Sequence, residues 1–221
     1  MSWTETVDGY CERLDPSFWA EPWNALSNLA FLIVALIMWR RAGQIAPNHR
    51  PARILAGILG VIGVGSGLFH TFATRWAGVA DVLPILVFIL TYIYFANRYF
   101  WGLRQGWAAL GTALFVPYAA LTVPLFAMLP GLAGSAGYAP VPVLIAAYSV
   151  ALWGRMRQVA RGLAVGAGLL ALSILFRSLD QPMCARWPGG THYLWHLLNA
   201  ALLGWMIEVL RRHLAGGDGG R

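Results

Sequence analysis

The chain has 221 residues, 58% of them hydrophobic and only 11% charged, with a mean hydropathy of +0.60. So little polar material excludes a soluble globule of this size and points to a bilayer. The net charge of +7 would suit a nucleic-acid binder, but all sixteen basic residues are arginines gathered between apolar stretches, which excludes that class too.

Residues 1–22 are polar and acidic, carrying Asp8, Glu12, Asp15 and Glu21. No basic region followed by an apolar one begins them, so the segment is expected to stay in the mature protein and the first helix to serve as insertion signal. Seven apolar runs follow, at 23–39, 53–71, 79–96, 107–125, 138–153, 163–176 and 191–210, the sixth being the shortest. Crossing about 30 Å of hydrocarbon takes about 20 residues, so the pattern predicts an all-α integral membrane protein, a bundle of seven transmembrane helices. Pro84 and Pro117 fall inside predicted helices and are expected to kink them. The organisation predicted is an N-terminal segment (1–22), one membrane domain (23–210) and a short Gly-rich tail (211–221), with no internal repeat.

Charge sets the expected orientation. Twelve arginines lie on one side of the seven-helix arrangement and four, Arg13, Arg75, Arg177 and Arg186, on the other. Positive charge is retained in the cytoplasm, so the N-terminus is expected outside and the C-terminus inside. Basic residues that are all arginine, with short loops, suggest a bacterial inner membrane. Cys11 and Cys184 then share the oxidising outer side, where both a disulfide and two free thiols are open.

The residues able to do chemistry fall at one depth. His192 and His196, one helical turn apart, share a face and can direct two imidazoles at one ion. A catalytic zinc site takes three protein ligands and leaves a position open, and the third candidate is His70, near the outer end of the second helix. Ser66 lies one turn deeper than His70, and Asp81 opens the third helix. A lone histidine here would be an ordinary core imidazole; three beside a carboxylate and a hydroxyl form a functional cluster. Zinc so held favours hydrolysis, with Asp81 moving a proton and Ser66 donating to an oxyanion, although Ser66 taken alone reads as a packing residue in a Gly-rich stretch. His49 and His213, beside cytoplasmic arginines, read as solvated. The acidic residues Asp8, Glu12, Asp15 and Glu21 have calcium-ligand chemistry, but an acidic outer tail is also what topology alone would produce.

Tyr10-Cys11-Glu12, the run Ala20-Glu21-Pro22-Trp23-Asn24-Ala25-Leu26-Ser27-Asn28, Ser66-x3-His70, Asp81 and His192-x3-His196 occur in this order. The combination resembles the alkaline ceramidases and their bacterial relatives, within a wider group of seven-helix membrane hydrolases that includes the adiponectin and progestin receptors. The resemblance implies zinc on His70, His192 and His196, cleavage of the amide bond of ceramide or a related N-acyl lipid by water with Ser66 and Asp81, and a Cys11–Cys184 bridge. It also implies calcium in the N-terminal segment, with Glu12 and Glu21 as carboxylate ligands and a backbone carbonyl from Tyr10. Here the sequence departs from the family, with Gly9 where an aspartate would stand and Leu14 where an amide would, leaving Asp8 or Asp15 to compensate. The competing expectations are a zinc-containing receptor or sensor without turnover and a transporter; Asp81 and Ser66 beside the histidines favour the enzyme.

Overall fold

The computed structural model describes residues 2–7, 9–45 and 49–216, and each apolar run in it forms a helix. The helices are α1 (Pro22–Ile45), α2 (Arg50–Phe72), α3 (Arg75–Phe100), α4 (Gln105–Ala127), α5 (Pro140–Leu152), α6 (Arg157–Met183) and α7 (His192–Gly216). Six are long and apolar enough to cross a membrane, and the chain is a multi-pass membrane protein. The seventh, α5, has 13 residues, or about 20 Å at 1.5 Å per residue.

The sequence expectation inverted the lengths of two helices. Residues 163–176 were the shortest apolar run, yet α6 is the longest helix, at 27 residues. Hydropathy falls at Arg177, Ser178, Asp180 and Gln181, but the backbone stays helical because these side chains find partners inside the protein. Arg177 hydrogen-bonds the Gly134 carbonyl and Ser135, and Asp180 is buried. Hydropathy reports where lipid contact ends, and a helix need not end there.

Proline acts unequally. Pro84 is contained within the α-helical part of α3, whereas the α-helix of α4 is interrupted at Leu114. Pro117 has no N–H for the carbonyl four residues earlier, that of Ala113, and the interruption follows directly on that residue.

Helices adjacent in the chain pack on one another, and α7 closes the arrangement by returning against α1 and α2. That closure brings the end of α2 to the start of α7. At the same end the N-terminal segment folds over the bundle: Val7 N–H donates to the Ala73 carbonyl (2.7 Å) and Arg75 N–H to the Glu5 carbonyl (3.2 Å), with a β-bridge between Thr6 and Thr74. Ala73 ends the α-helix of α2 in the left-handed conformation (φ 45°), which turns the chain sharply into α3. At the opposite end Glu208 of α7 accepts from Arg41 of α1 (2.8 Å) and from Arg211 and Arg212 (2.7 Å each).

The contact between α2 and α3 is close because of Gly65. A Cβ there would lie 2.0 Å from the Ala80 carbonyl oxygen, so only glycine lets the two backbones meet at this level. The residues following each contact point are Ser66 and Asp81. Gly65→Ala is expected to push the helices apart and cost about 1–3 kcal/mol, as overpacking does. Thermal unfolding in detergent should show a lowered midpoint for Gly65→Ala and none for Gly67→Ala, whose Cβ would meet nothing within 4 Å.

Candidate metal centre

His70 at the end of α2 and His192 and His196 in the first turns of α7 are almost fully buried, at 0%, 2% and 1% exposure. Their ring centroids are 4.6 to 5.1 Å apart, and one ligand atom from each lies within 4.8 Å of the others. Among the described residues this is the one group of histidine, cysteine and carboxylate side chains that converges so. Three imidazoles crowded away from water are a poor way to fill a core and a good way to hold a metal ion.

The outer hydrogen bonds leave the inner nitrogens free. His70 Nδ1 faces Glu21 Oε2 at 2.6 Å, an anionic acceptor, so the proton sits on Nδ1 and Nε2 presents a lone pair. That buried Nε2 has no partner in the protein, and neither has His192 Nδ1. Ser27 Oγ donates to the Asn24 carbonyl (2.9 Å) and lies 2.7 Å from His196 Nδ1, an arrangement that makes Nδ1 the donor and frees Nε2. Buried ring nitrogens without a partner, with a carboxylate and a hydroxyl orienting two of the rings, fit a metal.

Glu21 stands just before α1 and joins several groups. Besides His70, it accepts from Arg13 Nε (2.5 Å, Oε1) and Asn24 Nδ2 (3.1 Å, Oε2). Burial alone would raise its carboxyl, but the hydrogen bond and charge of His70, with the bonds from Arg13 and Asn24, hold it below the ordinary glutamate range. The ring of Tyr10 stacks on His192 with centroids 3.8 Å apart, and burial pushes its phenol well above the usual range.

Beside the histidines opens an apolar cavity. Ser66, Asp81 and His196 line one part of it; Ile85, Phe88, Tyr92, Leu144, Tyr148 and Leu202 are among the residues lining the rest. The Ser66 hydroxyl lies beside the Asp81 carboxylate in this wall, a polar neighbour for a charge-bearing side chain in such surroundings. Tyr148 hydrogen-bonds Asn97 at 2.8 Å, and the Tyr92 hydroxyl, also in the cavity wall, has no partner in the protein. A long apolar ligand with one polar group at its end suits this lining.

Cys11 and Cys184 form a disulfide, which settles in favour of the bridge the choice the sequence left open. It ties the N-terminal segment to the α6–α7 loop. Asp180, to which the sequence reading gave no role, fastens the same junction: Oδ1 accepts the N–H groups of Thr191 (2.7 Å) and His192 (3.0 Å), and Oδ2 that of Cys11 (3.0 Å). A carboxylate at the start of α7 satisfies donors that have no partner within the helix. Gly190 permits the approach, with φ +64° and a would-be Cβ only 2.1 Å from Asp180 Oδ1. Asp180 escaped notice because it falls beyond the sixth apolar run; the rule that marked Asp81, a carboxylate inside an apolar helix, would have found it had that helix been drawn to its full length.

The residues expected to hold calcium do not come together in this way. Glu12 accepts the Trp23 and Asn24 N–H groups (2.6 and 2.9 Å), capping α1, and burial raises its carboxyl despite those bonds. Asp15 is exposed, accepts from Ser17 N–H (2.7 Å) and is lowered by bonds from that residue. Glu21 is shared between Arg13, His70 and Asn24, the Tyr10 carbonyl accepts the Arg13 N–H (3.3 Å), and Asp8 lies outside the described residues. His213, expected to be solvated, instead packs on Phe100 and hydrogen-bonds the Tyr99 carbonyl (3.1 Å), far from the cluster in sequence and on the other end of α7.

Residues 6–212, nearly the whole chain, match the family model described as Ceramidase. No curated protein matches the chain.

Asp180→Ala strands three buried N–H groups, each worth about 1–3 kcal/mol when left without an acceptor. The variant is expected to unfold at a clearly lower temperature and to lose metal more readily, with Asp180→Asn in between because one side-chain oxygen still accepts. Thermal unfolding and metal analysis on the same preparations check both.

Proposed function

This chain belongs to the ceramidase family, a family of amidohydrolases acting on lipid amides with water, and from that premise we propose a zinc-dependent membrane amidase that cleaves ceramide or a closely related N-acyl lipid to a long-chain base and a fatty acid. The observation that carries the proposal is the cluster of three buried imidazoles, one of which, His196, shares a cavity wall with Ser66 and Asp81.

Three neutral imidazoles and a position left open suit zinc, a borderline-soft ion that binds nitrogen readily. Zinc supplies Lewis acidity, which polarises an amide carbonyl and makes water easier to deprotonate. Around it, the Asp81 carboxylate accepts a proton from the attacking water and returns it to the amine nitrogen as the C–N bond breaks. Ser66, beside Asp81 in the cavity wall, turns its hydroxyl to the oxygen where negative charge develops when substrate is present. The cavity wall of Phe88, Ile85, Leu144 and Leu202 receives the hydrocarbon chain, so the amide is positioned by burial of the lipid tail and needs no charged anchor.

For orientation, the arginine asymmetry and the disulfide at the histidine end together support an N-terminus on the outer face, the metal near the outer leaflet and the Arg41, Arg211 and Arg212 cluster in the cytoplasm. Residues 1–22 then form an outer cover over the membrane domain; part of the proposed tail, 217–221, lies outside the described residues.

One zinc per chain is expected after purification, and His192→Ala/His196→Ala should remove it, because a single remaining imidazole cannot retain the ion. Elemental analysis of the folded double variant decides; a full complement of zinc would rule the assignment out. Chemistry separates from binding in two further variants. Asp81→Asn should keep zinc and lose activity by roughly 10²–10⁴-fold, as when a general acid–base group is removed. Ser66→Ala should also keep zinc and lose roughly 10²–10³-fold. Rates on a panel of N-acyl lipids, measured beside zinc content, test both, and two variants at the wild-type rate would sink the proposed roles.

A further inference from the structure

Arg13 is a cation where one is costly to place. Its side chain is 2% exposed, and removing a guanidinium from water is tolerated only when its donors and its charge are both answered. Here they are. Nε donates to Glu21 Oε1 (2.5 Å), Nη1 to the carbonyls of Asp15 (3.1 Å) and Ser17 (3.3 Å), and Nη2 to the carbonyl of His70 (3.3 Å). One planar group thus gathers the loop before α1, the carboxylate at its start and the backbone of a metal-ligand candidate. His70 is held twice over, at its main chain by Arg13 directly and at its ring by Glu21, whose own position Arg13 fixes.

The oxygens that surround the guanidinium, one carboxylate and three carbonyls, are the hard donors a calcium ion would take. They are already engaged, and the carboxylates expected to complete a calcium site point elsewhere: Glu12 to the N-terminus of α1 and Asp15 to Ser17. Calcium therefore does not fit the described residues of this segment. We propose that Arg13 is the segment's resident cation, a positioning residue that holds Glu21 on His70 and so does, as part of the chain, what a bound divalent cation would otherwise do. Its effect on zinc rests on the metal reading above; its exclusion of calcium does not.

The full chain, loaded with zinc in calcium-free buffer, tests this with Arg13→Ala and Arg13→Lys alongside. Wild type should take up no stoichiometric calcium on equilibrium dialysis against the millimolar ion, and its unfolding temperature should not change. By competition with a chelator, Arg13→Ala should bind zinc about 10–100-fold more weakly, the usual cost of losing an outer partner of a ligand. Added guanidinium, in the tens of millimolar, should restore most of that affinity, and Arg13→Lys should fall between, since an ammonium keeps the charge without the fork. One calcium per wild-type chain with a raised unfolding temperature would overturn the proposal. So would a folded Arg13→Ala with wild-type zinc affinity, or a loss that guanidinium does not reverse, which marks a packing defect. If Arg13→Ala does not fold, the wild-type calcium measurement and Arg13→Lys decide. Wild type that holds no zinc defeats the metal reading, and calcium uptake then decides on Arg13 alone.

Discussion

The hydrogen bond from His70 to Glu21 is the contact on which the centre depends. A ring at the end of a membrane helix has no water to turn toward, so its outer nitrogen must be answered by protein. Answering it with a carboxylate brings a second buried charge, which is answered in turn by Arg13 and Asn24. The N-terminal segment thereby becomes part of the site, although none of the converging imidazoles comes from it. The same demand accounts for Ser27 on His196 and Asp180 on the start of α7. Each polar group that the chemistry requires brings a partner, and the partners draw the loops over the bundle end.

Much of this was legible in the sequence because membranes simplify the code. A histidine pair four apart, with His70 and Asp81 in other apolar runs, stands out where polar residues are rare, and the common depth of the predicted helix ends was enough to group them. Lengths were less legible. The run at 163–176 covers only the apolar part of a helix that continues through Asp180 to Met183. Arg13 and Asp180 are hard to read from sequence for related reasons: charge assigns one only to a side of the membrane, the other falls between predicted helices, and in both the decisive fact is burial among partners, which neither hydropathy nor spacing records. The acidic residues of the N-terminal segment show the converse. Their composition suits a hard cation, yet Glu12 serves as a helix cap and Glu21 as a bridge.

Rigidity is distributed to match. At the level of the chemistry, Gly65 lets α2 and α3 touch, so the residues that follow, Ser66 and Asp81, are set by backbone contact, while the metal-ligand candidates are set by hydrogen bonds from outside. Much of the cavity beyond them is walled by aliphatic and aromatic side chains, which can shift rotamers at little cost. On the proposed reading the fixed part would contact the amide and the adaptable part the chain, the division expected where one bond must be cut in molecules whose tails vary.

The junction between the N-terminal segment and the α6–α7 loop also bears on biosynthesis. Cys11 meets Cys184 across a sequence separation of 173, and Tyr10, Arg13 and Glu21 reach their partners on α2 and α7 over similar or shorter spans. These residues leave the ribosome long before α7 exists, so Cys11 and Tyr10 wait for their partners while most of the helices insert, whereas Arg13 and Glu21 meet theirs once α2 is made. Contacts of such range form last, after the loop-closure entropy between them has been overcome by helix packing. The centre is therefore complete only when segments from near both ends of the sequence meet on the same side of the bundle.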